Sequence, residues 1–144
     1  MRRFGEVAKP GIHYKRRLGA YAILPIDGCV LLTEQADPEP DIQLPGGGVD
    51  PGESPIAALH REVFEETGWH IASVRRMGVY RRFAYMPEYD LWAEKICLIY
   101  FAQPIYSKGP PLESGHTALL LSPSVAKTKL GDPGFRHFCA EFFS

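Results

Sequence analysis

The chain has few cysteines, no long apolar run, and no repeated or low-complexity tract. Its three cysteines, Cys29, Cys97 and Cys139, are odd in number and far apart. They match neither a zinc-ligand spacing nor a disulfide framework, so reduced core thiols in a cytoplasmic protein are expected. No apolar stretch approaches the roughly 20 residues that cross a bilayer, so no membrane partner is expected. The opening segment, MRRFGEVAKPG, carries charge but no apolar core of its own, and no signal peptide is expected there. What remains is ordinary: 144 residues, 45% hydrophobic and 23% charged, the size and composition of one soluble domain.

Net charge is −1, but it is unevenly spread. Residues 1–17 hold Arg2, Arg3, Lys9, Lys15, Arg16 and Arg17 against Glu6 alone, and read as a basic N-terminal arm ahead of a domain at 18–144. Residues 18–66 hold ten acids and one base, Arg61; residues 75–82 then add Arg75, Arg76, Arg81 and Arg82. A metal site that handles polyphosphate needs acids flanked by bases. Simple surface solubility is the plainer explanation of such runs.

The densest signal is GGGVDPGESPIAALHREVFEETGW, residues 46–69. Ser54 is a good N-cap, Pro55 suits the first helical position, and Gly68 suits the left-handed position that ends a helix. At about 100° per residue, Ile56, Leu59, Val63 and Thr67 share one side, with Phe64 near its edge. Glu62, Glu65 and Glu66 cluster opposite, with Ala58 among them. These carboxylates are i, i+3 and i, i+4 neighbours, and such like-charge pairs cost a helix about 0.2–0.5 kcal/mol each. They also crowd the negative end of the helix dipole. A solvated acidic face is one reading. A divalent cation is the other, and it reverses the sign of each cost; hard oxygen donors suit Mg²⁺ or Mn²⁺.

Gly47, five residues, Glu53, seven residues, then Arg61-Glu62-Val63-Phe64-Glu65-Glu66-Thr67-Gly68-Trp69 resembles the Nudix box, GX5EX7REUXEEXGU, where U is a bulky aliphatic residue. Every fixed position is met, and Trp69 replaces the usual final aliphatic. The resemblance implies an α/β fold in which a mixed sheet is sandwiched between helices, with the box as loop–helix–loop. It implies hydrolysis of a phosphoanhydride in a nucleoside diphosphate linked to another moiety. It further implies Mg²⁺ (Mn²⁺ as substitute) on Glu62, Glu65, Glu66 and the Gly46 carbonyl. Glu62 or Glu65 becomes the general base, and Glu53 a supporting acceptor. Arg61 is expected to pair with Glu53 and fix the loop, and Gly47 to offer backbone to the substrate. Family members often add an acid or histidine from a late loop; Glu113 is the first candidate and His116 the second. Family members are also often homodimers.

The remaining chain reads as strands at 19–26, 29–35, 42–44, 69–85 (broken at Gly78), 91–105 and 116–121. Asp27-Gly28 forms a hairpin turn. A short helix follows Ser122-Pro123, and a terminal helix carries Phe135, Phe138, Cys139 and Phe142. Residues 1–17 and 46–48 read as irregular. Phe83 or Tyr85 could stack on a base, since such stacking tolerates any sequence; a cross-strand packing pair is the alternative. Tyr85, Pro87 and Tyr89 fit more than one Nudix subgroup, so the subgroup stays open. The basic segments keep removal of pyrophosphate from RNA 5′ ends as a second activity. A catalytically silent nucleotide-binding domain is a third reading, opposed by the intact glutamates. His13, His60, His70 and His137 are read as structural.

Overall fold

Alternation along the strands divides the core in two. In the computed structural model, which describes residues 1–144, the chain forms β1 (Lys15–Ile23), β2 (Pro25–Ile26), β3 (Cys29–Gln35), β4 (Asp41–Gln43) and β5 (Gly46–Gly48). Then come α1 (Pro55–Thr67), β6 (Trp69–Met86), β7 (Leu91–Ser107), β8 (His116–Leu121), α2 (Pro123–Lys129) and α3 (Pro133–Phe142). One sheet has the order β5-β1-β7-β6, with β1 parallel to β7 and both outer pairs antiparallel. In the other, β3 pairs antiparallel with β2, β4 and β8.

Ala20, Ala22, Leu24, Leu31, Leu98 and Tyr100 pack with Leu59 and Val63 of α1. Their alternates Ile23, Val30, Leu32, Cys97 and Ile99 pack with Ala126 and Leu130 and with Phe135, Phe138 and Cys139 of α3. Successive strand residues point to opposite faces, so the sheets are buried on both sides and lie between α1 and the α2–α3 pair. Burying each Leu or Phe fully contributes about 1.5–3 kcal/mol before entropy is counted. This is the mixed sheet between helices that the sequence led us to expect. No helix is long and apolar enough to cross a membrane.

Local chemistry sets the ends of α1. The Ser54 side chain accepts from the Ala57 N–H, Pro55 opens the helix, and Gly68 (φ 77°) closes it with its N–H on the Phe64 carbonyl. Asp27 and Gly28 both take positive φ and turn β2 into β3.

Four local expectations change. The three glycines form a strand: Gly46, Gly47 and Gly48 pair with Tyr21, Ala20 and Gly19. Gly46 has φ 148°, and a Cβ there would lie 2.1 Å from the Ala20 carbonyl oxygen, so only glycine lets β5 sit this close to β1. Ile56 is 46% exposed while Ala58 and Glu66 are buried, because the face of α1 turned to the sheet is centred on Leu59, Val63 and Glu66. β6 runs through Gly78, with its register slipping just ahead of it, between Arg76 and Gly78, and twice earlier, while the pairing from Gly78 to Met86 is regular. The N-terminal segment is also tied down. Phe4 N–H donates to the Arg81 carbonyl, Arg81 N–H donates to that of Arg2, and the Phe4 ring packs edge-on against Tyr80.

Candidate active site

Arg61 is the hub of the acidic face. Its Nε and Nη2 grip both oxygens of Glu53 at 2.8 Å. Nη1 reaches Glu62 at 3.0 Å and Glu65 at 3.4 Å, and Nη2 also donates to the Gly48 carbonyl at 3.1 Å. Two-pronged carboxylate pairing of this kind is both strong and directional. The Arg61 hydrogen bonds hold the Glu53 carboxyl down at about 2. Glu53 also accepts from the Asp50 N–H at 3.0 Å, which closes the turn ahead of α1. Arg61 thus pairs with Glu53 and the loop carbonyl of Gly48, and its Nη1 bridges Glu62 and Glu65.

Glu66 is the unusual carboxylate. Only 5% of the residue is exposed, and its Oε1 accepts from the Gly46 N–H at 3.0 Å. Burial pushes its pKa up to about 9, against the lowering effect of that N–H. Burial likewise raises Glu62, against Arg61. Both groups are carboxylates that a nearby cation would return to the charged form. Gly47 permits this packing: a Cβ there would fall 2.6 Å from the Glu62 carboxylate.

The loop before β8 folds back onto the C-terminal end of α1. Leu112 and Glu113 both donate backbone N–H groups to the Glu65 carbonyl at 2.9 Å, filling acceptors that a helix end leaves open. Glu113 thereby reaches the site. One carboxylate oxygen each from Glu62, Glu65 and Glu113 lie within 4.8 Å of one another, and so do ligand atoms of Glu66, Glu113 and His116. The His116 Nδ1 sits 3.0 Å from the buried Thr33 hydroxyl and 3.7 Å from Glu66, and its Nε2 is 3.8 Å from Glu113. The first set is all oxygen, and two of its members, Glu62 and Glu113, line a cleft open to water, which fits a hard divalent cation that keeps some of its waters.

The cleft has a volume of about 400 Å³. Glu62, Glu66, Gly46, Gly47, Glu113 and His116 line it. Phe83 and Tyr85 do not. Tyr85 and Phe83 sit one residue out of phase with Arg82 and Met86, and in a strand that turns them to the opposite face. There Phe83 meets Tyr14, and Tyr85 meets Trp92 and hydrogen-bonds Asp90. Instead the cleft receives Tyr21, Gln35, Gln43, Tyr89, Arg17 and Lys95, which the sequence reading did not single out as site residues. Alternation along β1 groups Arg17, Gly19 and Tyr21 on one face, a usable signal once β1 is known to begin at Lys15. A smaller pocket of about 90 Å³ adjoins the cleft, sharing Tyr21, Gln43 and Lys95 and adding the Arg82–Asp132 ion pair.

A mixed sheet between helices, with a glutamate-bearing helix set against a glycine strand, defines a fold and site of one class. The NUDIX domain family model matches residues 13–142, and the chain belongs to the Nudix family. Among curated proteins it is 39% identical over 74 residues to a Bacillus subtilis protein provisionally named 8-oxo-dGTP diphosphatase, covering 51% of this chain and 50% of that one. It is 51% identical over 39 residues to the RNA pyrophosphohydrolase of Helicobacter pylori strain G27, 27% of this chain and 25% of that one. The chain thus aligns with half or less of the length of these relatives. Among solved structures, a NUDIX hydrolase from Nitrosomonas europaea superposes with TM-score 0.73 at 24% identity, over 90% of this chain and 88% of that one. A MutT NUDIX hydrolase from Burkholderia pseudomallei gives 0.70 at 20%, over 90% and 99%. At these identities the structures speak to the fold.

Proposed function

We propose that the chain is a divalent-metal-dependent pyrophosphohydrolase acting on a small nucleoside diphosphate linked to a further moiety. The observation that carries this reading is the convergence of Glu62, Glu65 and Glu113 within 4.8 Å, with Glu62 and Glu113 lining an open cleft and Glu65 just outside its lining. Glu62, Glu65, Glu66 and Glu113, with the Gly46 carbonyl, would hold Mg²⁺ or Mn²⁺. The bound cation would neutralise phosphoryl oxygens and acidify a water. Glu62 or Glu65 takes the proton of the attacking water. A new P–O bond forms to that water, the bridging P–O bond breaks, and two phosphate-bearing products leave. Glu53 and Arg61 touch no substrate in this scheme; they hold the loop and the ligand carboxylates in place. His116 orients Glu66 and Glu113 from behind. The free cysteines, two of them buried, favour a reducing cytoplasmic setting.

The test is a released-phosphate screen of nucleoside triphosphates, oxidised nucleotides, nucleotide sugars and dinucleoside polyphosphates with Mg²⁺ and Mn²⁺. Turnover of at least one small nucleotide, abolished by EDTA, is expected. A folded protein inert across the panel would overturn the reading. The match to the RNA pyrophosphohydrolase motivates a second reading, RNA 5′ pyrophosphate removal. It requires turnover of triphosphorylated RNA to exceed that of every free nucleotide.

A further inference from the structure

One end of the cleft is built from cations. Arg17 on β1 and Lys95 on β7 are register partners on neighbouring parallel strands, both are half-buried, and both line the cleft. Like charges placed directly across a sheet destabilise it. The next pair in register, Arg16 and Glu94, faces the other way and is complementary, with an ion pair at 3.0 Å. Neither Arg17 nor Lys95 has such a partner among the ion pairs of the chain. The acids nearest this end are committed elsewhere or face water. Asp50 pairs with Arg61 at 3.4 Å, Asp132 holds Arg82 at 3.0 Å, and Asp41 accepts from Gln43 at 2.9 Å. Glu88 is exposed on the rim.

The Arg17 guanidinium is not free to swing away. It lies 4.4 Å over the ring of Tyr89, which reaches the cleft from the turn between β6 and β7. Such a contact contributes about 0.5–1 kcal/mol at exposed sites and holds the cation in place. Between Arg17 and Tyr21 stands Gly19, with the Tyr21 ring lying over it, and one continuous cleft takes in the cations, this ring and the carboxylate end. Glu62 and Glu66 stand beside Gly47 and Gly46, which pair with Ala20 and Tyr21. Arg17 is three to four residues away along β1, about 10–13 Å at the usual strand rise. That exceeds the span of a single phosphoanhydride.

We propose that Arg17 and Lys95, with Tyr89 holding Arg17 in place, form a subsite for a second anionic group of the substrate, remote from the anhydride that the carboxylates address. The inference deepens the pyrophosphohydrolase reading and rests on it for the position of the scissile bond. The chemistry recognised is a phosphate attached beyond the nucleoside. In a small nucleotide this is a phosphomonoester; in an RNA 5′ end it is the first phosphodiester.

The experiment is calorimetric binding to the full chain in Mg²⁺, which needs no turnover. The probes are adenosine and guanosine 5′-monophosphates, the matching 3′,5′-bisphosphates, and 5′-phosphorylated dinucleotides. Wild type is expected to bind one class of distal-phosphate probe about tenfold more tightly than the monophosphate, from one charge-assisted contact pair. A preference for the bisphosphate assigns the subsite to small nucleotides, and a preference for the dinucleotide to RNA. In Arg17→Gln/Lys95→Gln, checked for an unchanged melting curve, the preference should collapse, and in wild type it should shrink as salt rises. Equal affinity for all three probes in wild type, or a preference that survives the double substitution, overturns the proposal. Failure of the phosphate-release screen alongside a tenfold preference would count against the catalytic reading and leave the subsite standing.

Discussion

Glu66 is where burial and charge conflict most sharply. Its folded pKa of about 9 lies far above the roughly 4.3 of an unfolded glutamate. A raised carboxyl contributes stability fully below pH ~4.3, and that contribution fades as pH climbs toward 9. Glu53, held at about 2, works in the opposite direction: its contribution is present above pH ~4.3 and fades as pH falls toward 2. Thermal melts in EDTA at pH 5 and pH 8.5 separate the two. The metal-free protein should melt lower at pH 8.5, Glu66→Gln should reduce that drop, and Mg²⁺ should restore the wild type. Parallel melting curves for the two proteins would contradict the assignment. Arg61 offers a second test at this scale. Lysine cannot reproduce the guanidinium fork across Glu53, Glu62, Glu65 and Gly48. Arg61→Lys should therefore weaken Mn²⁺ binding about 10–100-fold, measured by titration, with little change in fold.

Among the elements, β5 and α1 form one unit, and adjacent glycines in it should respond differently. Alanine at Gly46 would drive its Cβ into the Ala20 backbone at a φ that L-residues avoid. Gly46→Ala should destabilise the protein by about 2 kcal/mol or more in denaturant melts. At Gly47 the obstacle is only the end of the Glu62 side chain. Gly47→Ala should melt almost normally and yet lose most of its turnover, because Glu62 must move. Equal effects on stability at the two positions would contradict this division. The same elements show what could be read in the sequence. Ser54, Pro55 and Gly68 are local signals acting over one turn, so both ends of α1 were legible. The pairing of Gly46–Gly48 with β1 is a long-range choice that no local signal encodes. Ile56 fell on the wrong face because a helical wheel gives relative angles and does not say which angle faces the sheet. Phe83 and Tyr85 miss the cleft by one step of strand parity: β6 is regular from Gly78 to Met86, so alternation groups the two on one face, but it does not say which face meets the cleft.

At the scale of the whole molecule, the two core layers hold α1 and the loop carrying Glu113 against the same cleft, and the proposed function depends on that convergence. The glutamates and their spacing were visible in the chain because they lie within one 23-residue motif. The cationic end was hidden because Arg17 and Lys95 are 78 positions apart and meet only through the parallel pairing of β1 with β7. The acidic and basic ends should act on one ligand, with metal required only at the acidic end. The most direct measurement is the rate of phosphate release against Mg²⁺ concentration, for wild type and Glu65→Gln, on the best substrate from the nucleotide screen. We predict a saturable dependence on Mg²⁺ in wild type, abolished by EDTA, with a rate at least about 100-fold lower in Glu65→Gln at every Mg²⁺ concentration. A rate indifferent to the metal, or a Glu65→Gln enzyme as fast as wild type, would contradict it.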